Sequence, residues 1–150
     1  MERSKIKACV LDASVIIKWF SEENDSNIAI SIREKFVEGE IIITVPDLIL
    51  YEIANALKYN SNFNEYDVKS AIDSLFELGI DILAPTENIL KNAVDTAFEL
   101  NATLYDSYYI ALARELNFVF VTADIKFYNK IKDKIDFVIL LKNFENENEF

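Results

Sequence analysis

The 150-residue chain has no histidine, one cysteine (Cys9) and two glycines (Gly39 and Gly79). Each scarcity removes chemistry. Without histidine, neither a Ser-His-Asp nor a Cys-His nucleophile system can be assembled, and a zinc site of the usual Cys/His type is excluded. A lone cysteine forbids a disulfide within the chain and agrees with a reducing compartment. Two glycines cannot supply a GxxxxGK[ST] phosphate loop or a GxGxxG dinucleotide turn. Oxygen chemistry is left: carboxylates, hydroxyls and amides, the ligands of hard cations such as magnesium and manganese.

Long apolar runs are missing too. Nothing approaches the roughly 20 apolar residues of a membrane span. The apolar stretch after Arg3, Lys5 and Lys7 is broken by Asp12 and Lys18, unlike a secretory leader. A cytoplasmic protein with no membrane association is expected. Basic charge is scarce: 15 Lys and Arg against 26 Asp and Glu leave a net charge of -11. Such acidity favours solubility and opposes loose adhesion to nucleic acid, which wants a basic face. The basic residues Lys18, Arg33, Lys58, Arg114 and Lys126 are dispersed, so no RNA groove can be traced from them.

Apolar runs of strand length occur at 8–11, 41–45, 80–83, 118–121 and 137–141. Amphipathic helical spacing separates them, as in Ile49, Ile53, Ala56, Leu57 and in Val68, Ala71, Ile72, Leu75, Phe76. Strand runs that are nearly all apolar suit burial on both faces. Alternated with helices, they predict an α/β fold with a mostly parallel, five-stranded sheet flanked by helices. One domain over residues 1–142 is expected, followed by an acidic tail, 143–150, frayed and without periodicity. Gly39 and Gly79 each close a helical run before a strand, as left-handed C-caps do. Pro46 is expected to open a helix over 47–59.

Four acids need explaining. Asp12 ends the first strand run and Asp124 the fourth, so both are candidates for the crevice beyond the carboxyl ends of a parallel sheet. Each also precedes a helical run and could serve as its N-cap; the two roles can coexist. Glu52 falls at the border of an apolar helical stripe, where a carboxylate is costly unless paired with Lys or Arg or bound to metal. Asp106 begins another helix and could be a cap. Tyr108 and Tyr109, just after it, read as core in preference to base-stacking residues. Four acids at one crevice repel unless cations sit among them, and metal-assisted hydrolysis of a phosphodiester follows.

In this order and context, Asp12-Ala13-Ser14 with Lys18-Trp19, Pro46 with Glu52-Ile53-Ala54-Asn55-Ala56-Leu57, Tyr105-Asp106-Ser107-Tyr108-Tyr109 with Ala111-Leu112-Ala113, and Val121-Thr122-Ala123-Asp124 resemble PIN-domain ribonucleases, most closely the VapC-type toxins of toxin-antitoxin pairs. Ser107 departs from the pattern, in which alanine is common. The resemblance implies a single PIN-like domain and a divalent-metal-dependent endoribonuclease holding one or two Mg²⁺ or Mn²⁺ ions. Asp12 and Asp106 would be principal ligands, Glu52 a ligand directly or through water, and Asp124 the group that orients a water or completes a second metal position. Ser14, Thr122 and Asn55 would support them from behind, though a surface amide is an equal reading of Asn55. It further implies an RNA substrate, a homodimer and a cognate antitoxin partner. Two other readings stay open: a non-catalytic PIN-fold binding module, and an aspartate-nucleophile phosphatase, which is weakened by Ser14 standing where that class has a second acid.

Overall fold

The five apolar runs become five strands in a computed structural model that describes residues 7–146. In chain order the elements are β1 (Lys7–Leu11), α1 (Ala13–Ile16), α2 (Ser26–Val37), β2 (Ile41–Pro46), α3 (Leu48–Lys58), α4 (Glu65–Leu78), β3 (Asp81–Leu83), α5 (Glu87–Leu100), α6 (Leu104–Leu116), β4 (Val119–Thr122), α7 (Ile125–Ile131) and β5 (Val138–Leu140). Short 3-10 helices cover Ile17–Trp19 and Leu141–Asn146. Every strand pairing is parallel and the order is β3-β2-β1-β4-β5. The chain moves outward from β1 to β3, then returns to the other flank of β1 for β4 and β5. The order thus reverses between β1 and β4, where Leu11 lies opposite Val121, and such a reversal opens a crevice beyond the strand ends.

The apolar runs are buried as expected at the centre of the sheet: Cys9, Val10, Leu11, Phe120 and Val121 are fully buried. The edge differs. β3 has three residues, with Asp81 and Leu83 exposed, because an edge strand with no outer neighbour is not covered like a central one. α6 packs on α5 and on β1, β2 and β4, which fixes its first turn beside the crevice.

Gly39 (φ +80°) and Gly79 (φ +81°) take the left-handed conformation predicted for them. Asn101 (φ 51°) and Asn117 (φ 57°) do the same at the ends of α5 and α6. Pro46 does not open a helix. It is the last residue of β2 and pairs with Leu83, while α3 starts at Leu48. Pairing with β1 ends at Thr44, so the missing N–H of Pro46 leaves no bond unmade on that side. The tail expected to fray from 143 is folded as far as 146. Leu141 and Phe144, spaced by the three residues of a 3-10 turn, are both buried, and Lys35 Nζ lies 5.6 Å from the Phe144 ring centroid. Residues 147–150 of that tail lie outside the described residues.

Candidate active site

Asp12 follows β1 directly, and its N–H donates to the Val121 carbonyl of β4 at 3.2 Å, joining two strand ends at the reversal point. Both carboxylate oxygens are engaged. Oδ1 accepts from the Ser14 N–H at 3.0 Å and from the Ser14 hydroxyl; Oδ2 accepts from Thr122 Oγ1 at 2.6 Å. Asp12 is therefore both the N-cap of α1 and a crevice acid. The hydroxyls are oriented in turn by backbone. Ser14 Oγ accepts from the Ala123 N–H at 2.9 Å and Thr122 Oγ1 from the Asp124 N–H at 3.1 Å. Each hydroxyl thus accepts from a backbone N–H and donates its proton to Asp12. Burial pushes the Asp12 carboxyl up to about 7 from 3.8, against the pull of Ser14 and Thr122 and with a further push from the Asp106 charge.

Asp124 caps α7 by accepting from the Phe127 N–H at 3.0 Å and is exposed at the mouth of the crevice. Asp106 is not a cap. Thr103 does that work for α6, its Oγ1 accepting from the Asp106 N–H at 3.1 Å, and the Thr103 side chain also bonds the Asp106 carboxyl. Burial raises its pKa, the Thr103 bond opposes this, the Asp124 charge adds to it and Lys130 relieves it. Glu52, on α3, is not held by a basic residue. The Tyr109 hydroxyl donates to its Oε1 at 2.6 Å, and burial followed by the charge of Asp106 raises its pKa. Among the described residues the ion pairs are Lys18–Glu23, Lys69–Glu65 and Lys91–Glu87, none of them with the four acids.

The acids are thus linked through Asp106, which is felt by Asp12 and Glu52 and itself feels Asp124. Ser14 and Thr122 are placed with them through their bonds to Asp12. Asn55 does not: it is exposed on α3, lining a cavity with Phe63 and Val68 on the α4 side. Two residues that sequence reasoning left out belong here, Tyr109 and Lys130. Tyr109 does lie in the core, its ring 6.1 Å from that of Phe120, but its hydroxyl reaches the acids. The available signal was its spacing, three residues after Asp106 and so on the same face of α6.

No three His, Cys, Asp or Glu side chains among the described residues stand close enough together to form a ready-made metal cage. The donor set still fits a hard divalent cation. It offers carboxylates alone, kept from easy ionisation by burial and mutual repulsion, with no imidazole or thiolate.

A family model for the PIN domain matches residues 9–132. No curated protein sequence matches the chain. Among solved structures the fold is similar to that of PAE2754 from Pyrobaculum aerophilum, at TM-score 0.66 and 18% identity over 95% of each chain. It is similar to VapBC-1 from nontypeable Haemophilus influenzae, at TM-score 0.63 and 20% identity over 90% of this chain and 98% of the other. It is also similar to the Mycobacterium tuberculosis VapC20 toxin, a sarcin-ricin loop cleaving toxin, at TM-score 0.62 and 10% identity over 85% of this chain and 95% of the other.

Proposed function

We propose, from the premise that the chain belongs to the PIN domain family, that it is a divalent-metal-dependent endoribonuclease and the toxin of a VapBC-type toxin-antitoxin pair. PIN domains are generally nucleases that use divalent metal ions. The observation that carries the reading is the electrostatic coupling of Asp12, Glu52, Asp106 and Asp124 at the sheet's reversal point, with no ion pair to any of them among the described residues. Asp12 and Asp106 would hold Mg²⁺ or Mn²⁺ as principal ligands, Glu52 directly or through water, and Asp124 would orient a water or complete a second position. When bound, one or two such ions supply an acidified water and neutralise charge on the phosphodiester.

The chain's own residues prepare that chemistry. Ser14 and Thr122 fix the Asp12 carboxylate through both its oxygens. Asp124 is exposed and so open to an entering water or phosphate. The covalent phosphatase reading is disfavoured by Ser14, which stands where that class has a second acid and here bonds the Asp12 carboxylate. A cytoplasmic homodimer held inactive by an antitoxin is part of the same proposal; the toxin-antitoxin complexes among the structural relatives support the antitoxin partner.

The test is cleavage of RNA by the purified protein with Mg²⁺ or Mn²⁺. Products with 5′-phosphate and 3′-hydroxyl ends are expected, because water is the nucleophile, and Asp12→Asn should lose cleavage. Activity indifferent to EDTA, or full activity of Asp12→Asn, would overturn the mechanism. A chain that binds no metal and cleaves no RNA would point to the non-catalytic binding module.

A further inference from the structure

We infer that Tyr109 is a positioning residue for the metal site: a rigid strut from α6 to α3 whose hydroxyl holds Oε1 of Glu52 and so turns the carboxylate, Oε2 foremost, toward the cation. The inference rests on the nuclease reading above. It begins from placement. Asp106 and Tyr109 share one face of α6, and that face looks across to Glu52 on α3, so one helix supplies both an acid and the donor that holds a second acid. The hydroxyl donates at 2.6 Å, short for a neutral donor and in the range of bonds to a charged carboxylate.

The base of the strut is fixed. Tyr109 is 2% exposed; its ring packs on Phe120 of β4 at 6.1 Å, and Phe120 packs edge-on against Phe127 of α7 at 6.3 Å. An aromatic ring has few torsions, so the hydroxyl is held by packing that spans α6, β4 and α7. A lysine partner would carry its own flexibility to Glu52; a buried phenol does not. The same hydroxyl lies close enough to Asp12 and Asp106 to feel their charges. Three of the four acids thus act on the hydroxyl, which offers its one proton to Glu52. That proton has a second effect: it gives Glu52 a partner among like charges when no cation is there, so the carboxylate is already placed before an ion arrives. Outer partners of this kind typically contribute about ten- to a hundredfold in metal affinity.

The experiment measures Mn²⁺ binding by electron paramagnetic resonance for the unchanged protein, Tyr109→Phe, Glu52→Gln and the double variant, alongside RNA cleavage as a function of Mn²⁺. Tyr109→Phe keeps the ring and its packing. It should bind Mn²⁺ about tenfold more weakly and recover most of its maximal cleavage rate when Mn²⁺ is raised. Adding Tyr109→Phe to Glu52→Gln should cost nothing more, because the strut then has no carboxylate to place. A purely structural tyrosine would instead lower the melting temperature and add its loss in full to that of Glu52→Gln. A readout on unchanged tyrosine covers the case of a variant that does not fold: Mn²⁺ should perturb tyrosine ultraviolet absorption in the wild-type chain and not in Glu52→Gln. Equal Mn²⁺ affinity in Tyr109→Phe and wild type, or the same tyrosine perturbation in Glu52→Gln, overturns the inference alone. Failure of the wild-type chain to bind Mn²⁺ overturns the nuclease reading, and this inference with it.

Discussion

Thr122 and Ser14 each carry a single hydroxyl proton, and the N–H groups of Asp124 and Ala123 decide where it goes. Removing the Thr122 hydroxyl takes from Oδ2 its donor, whereas Oδ1 keeps the Ser14 N–H when the Ser14 hydroxyl is lost. Thr122→Val, nearly equal in volume, is expected to reduce metal-dependent cleavage about ten- to a hundredfold while the folded chain persists; a cleavage assay beside a circular dichroism melt separates the two. Ser107 is the opposite case. Its hydroxyl is fully buried and has no partner among the described residues, a burden of about 1–3 kcal/mol for a buried hydroxyl. Ser107→Ala should therefore stabilise the protein by about 1 kcal/mol in a urea titration, and a loss of stability would show that the hydroxyl is satisfied after all. At this scale the site was legible where an acid follows a strand or begins a helix, as at Asp12, Asp106 and Asp124. Tyr109 was not, because periodicity marks a buried tyrosine as core and carries no information about where its hydroxyl ends. Asn55 misled for the related reason that one helical turn from Glu52 specifies a neighbouring position, not a direction.

Elements place these side chains, and their ends matter more than their middles. α6 starts where Thr103 caps it, which puts Asp106 in its first turn, where a negative charge meets the helix dipole favourably. Thr103→Ala should cost about 1 kcal/mol of stability, read from the same titration, and an unchanged midpoint would mean that the cap bond contributes nothing. Gly79 ends α4 at φ +81° with open space where a Cβ would stand, so Gly79→Ala should cost about 1–2 kcal/mol from backbone conformation alone. The strands and most helices could be read from apolar periodicity, since central strands and packed helix faces are buried in the way that pattern encodes. Edges and ends were harder. β3 is too short and exposed to look like β1, Pro46 fits a strand end as well as a helix start, and the 3-10 turn at Leu141–Asn146 depends on a slot for Phe144 that only the folded chain provides.

At the scale of the whole molecule, a net charge of -11 and the half-buried acids Asp12, Glu52 and Asp106 act in the same direction. In the metal-free protein Asp12 titrates near 7, against 3.8 when solvated, and Glu52 and Asp106 are raised as well. Between those two values the folded chain keeps a proton that the unfolded chain has released. Stability then decreases with rising pH, because the folded state binds more protons than the unfolded one. The metal-free melting temperature should fall from about pH 4 to about pH 7. Mg²⁺ or Mn²⁺ should raise it most at the alkaline end, where the carboxylates are charged and no proton has to be displaced. General self-repulsion among surface acids would also weaken the fold as pH rises, so the site must be separated from the surface. Asp12→Asn makes that separation: it removes one titrating group from the crevice and leaves the surface intact. Its metal-free melting temperature should change less steeply over the same pH interval, with most of the stabilisation by Mn²⁺ lost. If the slope of Asp12→Asn matched that of the wild-type chain, the pH dependence would belong to the surface and not to the crevice.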